Sequence, residues 1–248
     1  MQHSTPGGDP ERRAGILNSL LRGIFMRKSS LLVLAVPACV PIAQLAHAGP
    51  SAELKVAGVI KPVACNPQLT GGGKLDFGTV KSSQLDEHGS LEDKDITISI
   101  RCEAPVRVGL KPVDNSASSV APGLLQHAAR RLGAGTSEAD LFGLGAVGKK
   151  RLGGYEASFV PGSFVADGQQ VDTISAGGAL NNWSKRGAGQ IRNGVVSAWA
   201  PQGSLVPGAY SSITGILRVR AVLAHRDQLA VVEDMALDGS LTLEVQYL

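Results

Sequence analysis

Aromatic side chains are scarce in this chain, with five Phe, three Tyr and two Trp among 248 residues. Histidine occurs five times and cysteine three times, at Cys39, Cys65 and Cys102. Too few of these residues stand together to supply the four ligands of a structural zinc site, so neither a metal nor another cofactor is expected. No apolar run is long enough to span a bilayer as a helix. Excess charge is missing too. The formal net charge is +3, but residues 1–48 hold Arg12, Arg13, Arg22, Arg27 and Lys28 against Asp9 and Glu11. Without that segment 19 basic residues (24 less 5) face 19 acidic ones (21 less 2). The remainder carries no electrostatic footprint for nucleic acid or for an anionic membrane.

The segment set aside reads as a leader. Met26-Arg27-Lys28 precedes the apolar run Leu31 to Val36, and Ala46-His47-Ala48 follows. A positive start, a short apolar stretch and a small-x-small site make a secretory signal peptide with a cut after Ala48. Pro37 and Pro41 argue against a core helix here. Pro37 also fits poorly in a lipid-attachment motif ending at Cys39. Residues 49–248 are then expected as one exported domain, its cysteines reduced to Cys65 and Cys102. An even pair in an exported chain argues for a disulfide.

What is plentiful is glycine (31 residues) and proline (13), set between short alternating runs. That is the pattern of an all-β protein. Leu54, Val56, Gly58 and Ile60 read as a first strand. Ile96, Ile98, Ile100 and Cys102 share one face of a second. Val106, Val108 and Leu110 continue after a break at Pro105. Val195 to Trp199 and the long alternation from Ile213 to Leu223 read as later strands. Residues 115–195 are expected to be an elaborated glycine-rich loop region or short strands between glycine turns, after a helical turn near Leu124–Leu132. The chain closes on Leu241, Leu243, Val245 and Tyr247, alternating with polar residues. They form one face of a strand whose outer edge must pair within its own sheet or wait for another chain.

The chemical motifs are weak. Gly143-Leu144-Gly145-Ala146-Val147-Gly148-Lys149 has a G-x-G-x-x-G spacing, but dinucleotide binding needs a buried strand before it and a helix after it. Lys150 stands where a phosphate loop needs Ser or Thr, so a glycine turn is the better reading. His88, His127 and His225 lack a nucleophile elbow nearby. Asp93 and Asp95 lack calcium-loop spacing. Trp199 follows an apolar run and reads as core. Trp183, in Asn181-Asn182-Trp183-Ser184, lies in a polar loop. It reads chiefly as a loop anchor, with contact to a carbohydrate or a partner as the alternative.

Together Gly58-Val59-Ile60, Cys65, Leu75-Asp76-Phe77-Gly78, Ile96 to Cys102, Phe142 to Gly145, Gly154-Tyr155 and Leu237 to Leu248 resemble a chaperone–usher fimbrial subunit. In particular they resemble the domain-of-unknown-function family 1120 (DUF1120) of fimbria-associated exported proteins. The resemblance implies an incomplete immunoglobulin-like, pilin-type β-sandwich lacking its last strand, with Cys65 and Cys102 bridging the first two strands. It implies a non-enzymatic structural or adhesive subunit at the fimbrial surface, whose partners are a periplasmic chaperone, an outer-membrane usher, other subunits and a surface glycan. Main-chain hydrogen bonds and side-chain pockets would hold the missing strand, beside the edge of Leu241, Leu243, Val245 and Tyr247. Such subunits usually carry glycine where Met235 stands. With a first strand at Leu54, only residues 49–53 precede it, too few for a donor strand. The chain is then expected to accept a strand but not to give one, as a tip subunit does. A self-complete carbohydrate-binding sandwich and an exported hydrolase are the alternatives from other classes.

Overall fold

The computed structural model describes residues 51–81, 88–229 and 234–248; the leader, Cys39 and Asp86-Glu87 lie outside them. The strands are β1 (Cys65–Leu69), β2 (Lys94–Val106), β3 (Val108–Asp114), β4 (Leu141–Gly143), β5 (Ala146–Val147), β6 (Lys150–Arg151), β7 (Gly153–Phe159), β8 (Val165–Ala166), β9 (Gln169–Ala176), β10 (Val196–Pro201), β11 (Tyr210–Leu223) and β12 (Leu241–Tyr247). Two short helices, α1 (Leu124–Ala128) and α2 (Arg226–Leu229), lie between them. The fold is all-β, as expected.

The strands join in the order β1-β2-β11-β8-β9-β10-β3-β12, with β7 on β11 and β4 on β7. Every strand pairing is antiparallel. The path folds into a sandwich whose two layers share one core. Ile98 and Ile100 of β2, Leu110 of β3, Phe159 of β7, Trp199 of β10 and Ile213 of β11 are all at most 2% exposed within it. Trp199 packs with Phe159 and Phe164 at ring separations of 5.9 and 5.4 Å. Five of the ten aromatics thus sit in two inner groups, Phe159, Phe164 and Trp199 in one, and Phe142 stacked on Tyr155 at 5.5 Å in the other. Scarce aromatics are concentrated where their area counts most.

The disulfide joins Cys65 to Cys102, 37 residues apart, across β1 and β2. The two face each other in register with Cα atoms 4.0 Å apart. Close facing of this kind is the geometry of a non-hydrogen-bonded antiparallel pair. The bond ties the first edge strand to the strand whose isoleucines build the core.

Two expectations need correction. Leu54, Val56, Gly58 and Ile60 form no strand; among the described residues strand pairing begins at β1. Leu54, Val56, Val59 and Ile60 are 85–99% exposed, so the alternation there is not buried. The reason for denying this chain a strand to give goes with it. Residues 115–195, read as an elaborated loop region or as short strands between glycine turns, take the second form. They supply β4 to β9, and all seven residues of β7 are buried. Pro105 does not break β2, which runs on to Val106. The Gly143–Lys149 run is the end of β4 and the β5–β6 hairpin, turned by Gly145 (φ 95°) and Gly148 (φ 60°), with no helix to receive a phosphate.

Buried carboxylates pin the segment before β4 to the sheet. Glu156 of β7 is fully buried, paired with Arg220 of β11 at 3.0 Å and accepting hydrogen bonds from Gly133 N and Thr136 Oγ1. Asp140, also fully buried, meets Arg186 at 2.8 Å and Arg192 at 3.0 Å, and closes a capping box with Ser137. Burial pushes the Asp140 carboxyl up, but hydrogen bonds from Arg192 and Ser137 and the charge of Arg186 hold it below the ordinary aspartate value.

Candidate functional site

The strand path begins at β1 and ends at β12, and these two strands border one gap. They approach at one end, where Cys65 N donates to Tyr247 Oη at 3.1 Å. There β1 begins and β12 ends, so the two run antiparallel along the gap.

Strand register decides what β12 presents to it. Asn115 N donates to Ser240 O and Leu248 N to Arg107 O, both across the β3–β12 ladder. In an antiparallel strand successive residues bond to opposite sides. Thr242, Glu244 and Gln246 therefore bond to β3. Leu241, Leu243, Val245 and Tyr247 turn their N–H and C=O to the other edge, which no strand of the described residues pairs. The same odd-numbered residues send their side chains inward. Leu241, Leu243 and Val245 touch the core yet remain only half-buried, and Tyr247 is 45% exposed. The groove-edge residues read from the sequence thus stand together on one edge.

β1 mirrors this arrangement. Cys65, Pro67 and Leu69 are its half-buried positions. Cys65 N points into the gap, so Pro67 and Leu69 face it too, by the two-residue period. Pro67 has no N–H, which makes β1 a poorer edge than β12.

A pocket of about 580 Å³ lies between residues 74–80 and 234–237, the stretches that come after β1 and before β12. Leu75, Phe77, Val80 and Leu237 line it and are half-buried against the core. The gap itself is an apolar trough with unpaired backbone along its rim. That is the chemistry of strand addition: main-chain bonds along an edge and pockets for alternate side chains.

The other candidates fall elsewhere. His127 and His225 come together, with ring centroids 6.0 Å apart, and His88 Nδ1 contacts His127 O. The pocket beside them is lined by Pro122, Gly123, Gln126, His127, His225 and Gln228, with no serine, threonine or cysteine among them. His225 pairs with Asp227 at 3.3 Å. Asp93 and Asp95 pair with Arg220 and Arg218 of β11 and so brace β2 against it. No group of three metal-ligating side chains occurs among the described residues. Trp199 is core, as read. Trp183 anchors its loop: its Nε1 donates to Leu180 O at 3.0 Å, and its ring packs on Ile174, Ala198 and Ala200.

Sequence reasoning missed Asp140 and Glu156, because their arginine partners lie 46 to 64 residues away in the chain and no local spacing marks them. It also missed the pocket formed by residues 74–80.

Fold and gap define a class: an all-β sandwich with a disulfide and an open strand edge. The disulfide fits an exported chain, and no helix among the described residues is long and apolar enough to cross a membrane. Residues 54–151, from the exposed segment through β6, match the family model described as "Protein of unknown function (DUF1120)". The chain is also similar to Protein GltF of Escherichia coli (strain K12), 28% identical over 89% of this chain and 99% of that one. The resemblance to the DUF1120 family read from the sequence therefore holds over residues 54–151, and the similarity to Protein GltF covers most of the chain.

Proposed function

We propose that this chain is a non-enzymatic subunit of a fimbria-type surface fibre, assembled by donor-strand complementation with a periplasmic chaperone, an outer-membrane usher and other subunits. The observation that carries the reading is the trough between β1 and β12, edged by the unpaired backbone of Leu241, Leu243, Val245 and Tyr247. A second observation supports it. Leu54, Val56 and Ile60 alternate around Gly58, are almost wholly exposed and belong to no strand. Four positions at period two match the four odd-numbered positions of β12 in number, and seven residues is an ordinary strand length. The chain therefore carries both a place for a strand and a strand to give. That removes the reason to confine it to the tip and suits a subunit within the fibre.

The test uses a chain beginning at Lys61, expressed with the disulfide formed. A synthetic peptide of residues 53–61 is added, and thermal unfolding is followed. A ligand that binds only the folded form raises the midpoint as its concentration passes Kd. A rise that disappears when Val56 in the peptide is replaced by Asp supports the reading. No rise at a hundredfold excess of the native peptide sinks it.

A further inference from the structure

Exposed large apolar side chains fall in three places among the described residues. Leu54, Val56, Val59 and Ile60 precede β1, Tyr247 and Leu248 end the chain, and Val165, Leu205 and Val206 belong to neither group. Leu205 (47% exposed) and Val206 (65% exposed) form, with Pro207, one wall of a pocket of about 570 Å³. The opposite wall is Leu180, Asn181, Asn182, Trp183 and Ser184. The pocket lies on the outer face of β9 and β10, beside Ile174, Ala198 and Ala200 and away from the shared core.

Its chemistry is specific in three respects. First, no side chain lining it is ionisable, so it suits a neutral ligand. Second, the Trp183 ring is fixed on both counts that matter: its Nε1 is bonded to Leu180 O, and its body rests on Ile174, Ala198 and Ala200. The loop holds that pose through Leu180 in the left-handed region (φ 56°), a conformation uncommon for a leucine and tolerated where the surroundings enforce it. Third, Asn181 and Asn182 are exposed and neither side chain bonds to any other described group. Each amide offers two donors and an acceptor to whatever enters.

We propose that this pocket is a binding site for a neutral pyranoside. A pyranose has one face of C–H groups and a rim of hydroxyls. The C–H face stacks on the rigid indole and against Pro207 and Val206, where weak C–H contacts and apolar burial add up. The hydroxyl rim pairs with the Asn181 and Asn182 amides. Aromatic or apolar walls with a few convergent polar groups are the usual make-up of a small-molecule site. The inference stands apart from the trough, since no residue lines both.

The two tryptophans give the test a built-in probe. Trp199 is 1% exposed, so iodide quenching of the folded protein reports on Trp183. The chain of residues 49–248 is titrated with lactose, maltotriose, mannotriose and chitotriose. Quenching is measured together with saturation-transfer NMR on the sugar C–H signals. We expect at least one of the four to shield Trp183 at millimolar concentration, with transfer to its C–H face. Asn181→Ala and Asn182→Ala should each weaken that shielding about tenfold without moving the thermal midpoint or the quenching of the free protein. Absence of shielding by all four sugars overturns the site, as does shielding that survives both asparagine changes. Shielding that instead rises with protein concentration in the absence of sugar also overturns it, in favour of contact between copies.

Discussion

β7 and β12 are both seven-residue strands, and they differ in what surrounds them. β7 lies between β11 and β4, and all seven of its residues are buried, Glu156 included. β12 is paired on one side only, and its inward residues remain half-buried. A strand covered on both faces has no apolar–polar period to show, because its outward positions are also inside. A half-covered strand shows the period plainly. The contrast teaches that alternation in this chain marks unfinished surface, and its loss marks the middle of the structure.

That contrast explains what was legible. The β2 isoleucines, β11 and β12 were read from period two, and the disulfide from an even pair of cysteines in an exported chain. β7 and β9 were hidden in a glycine-rich stretch. There the outer cover of β7 includes Thr136, which bonds to Glu156, and Gln190, which bridges to Ser158, 20 and 32 residues away from their partners, so no local period marks them. Leu54 to Ile60 shows the converse. The period was read correctly and its meaning was not, since alternation records a capacity to pack on one face and not the partner that does so. The edge of the site was visible in Leu241 to Tyr247; the pocket was not, because residues 74–80 and 234–237 meet only in space.

The largest effect is expected in β7. Glu156→Gln leaves Arg220 without its buried partner and weakens the bonds to Gly133 and Thr136. Breaking one side of a buried ion pair costs at most about 3–5 kcal/mol, and the upper part of that range is offset by Asp93, which stays on Arg220; the loss is read as a drop in the urea midpoint. Replacing Cys65 and Cys102 together by Ser frees the edge strand β1, at a cost of about 3–4 kcal/mol by loop entropy. Comparison of urea midpoints with the oxidised chain checks it. A smaller change belongs to β12. Leu243→Ala should cost only about 1–2 kcal/mol, below the usual 2–5 for a fully buried leucine, because Leu243 is half-buried. If it costs as much as Glu156→Gln, the two strands are equally enclosed and the contrast fails.

The smallest effect is in pH. The Asp140 carboxyl is held below its ordinary value of 3.8 in the folded chain. A group depressed on folding adds stability above its unfolded value and loses it as pH falls through the folded one. Stability should therefore be level above about pH 5 and decline below about pH 4. Asp140→Asn should flatten that decline while lowering the plateau, as urea melts across the range would show.

The central claim is that the outer edge of β12 is unpaired and receives a strand. Amide hydrogen exchange measured residue by residue on the chain beginning at Lys61 tests it most directly. The account predicts a two-residue alternation: slow exchange at Thr242, Glu244 and Gln246, which bond to β3, and fast exchange at Leu241, Leu243, Val245 and Tyr247. On addition of the 53–61 peptide, the odd-numbered amides should become slow. Uniform protection along β12 before any peptide is added would contradict it.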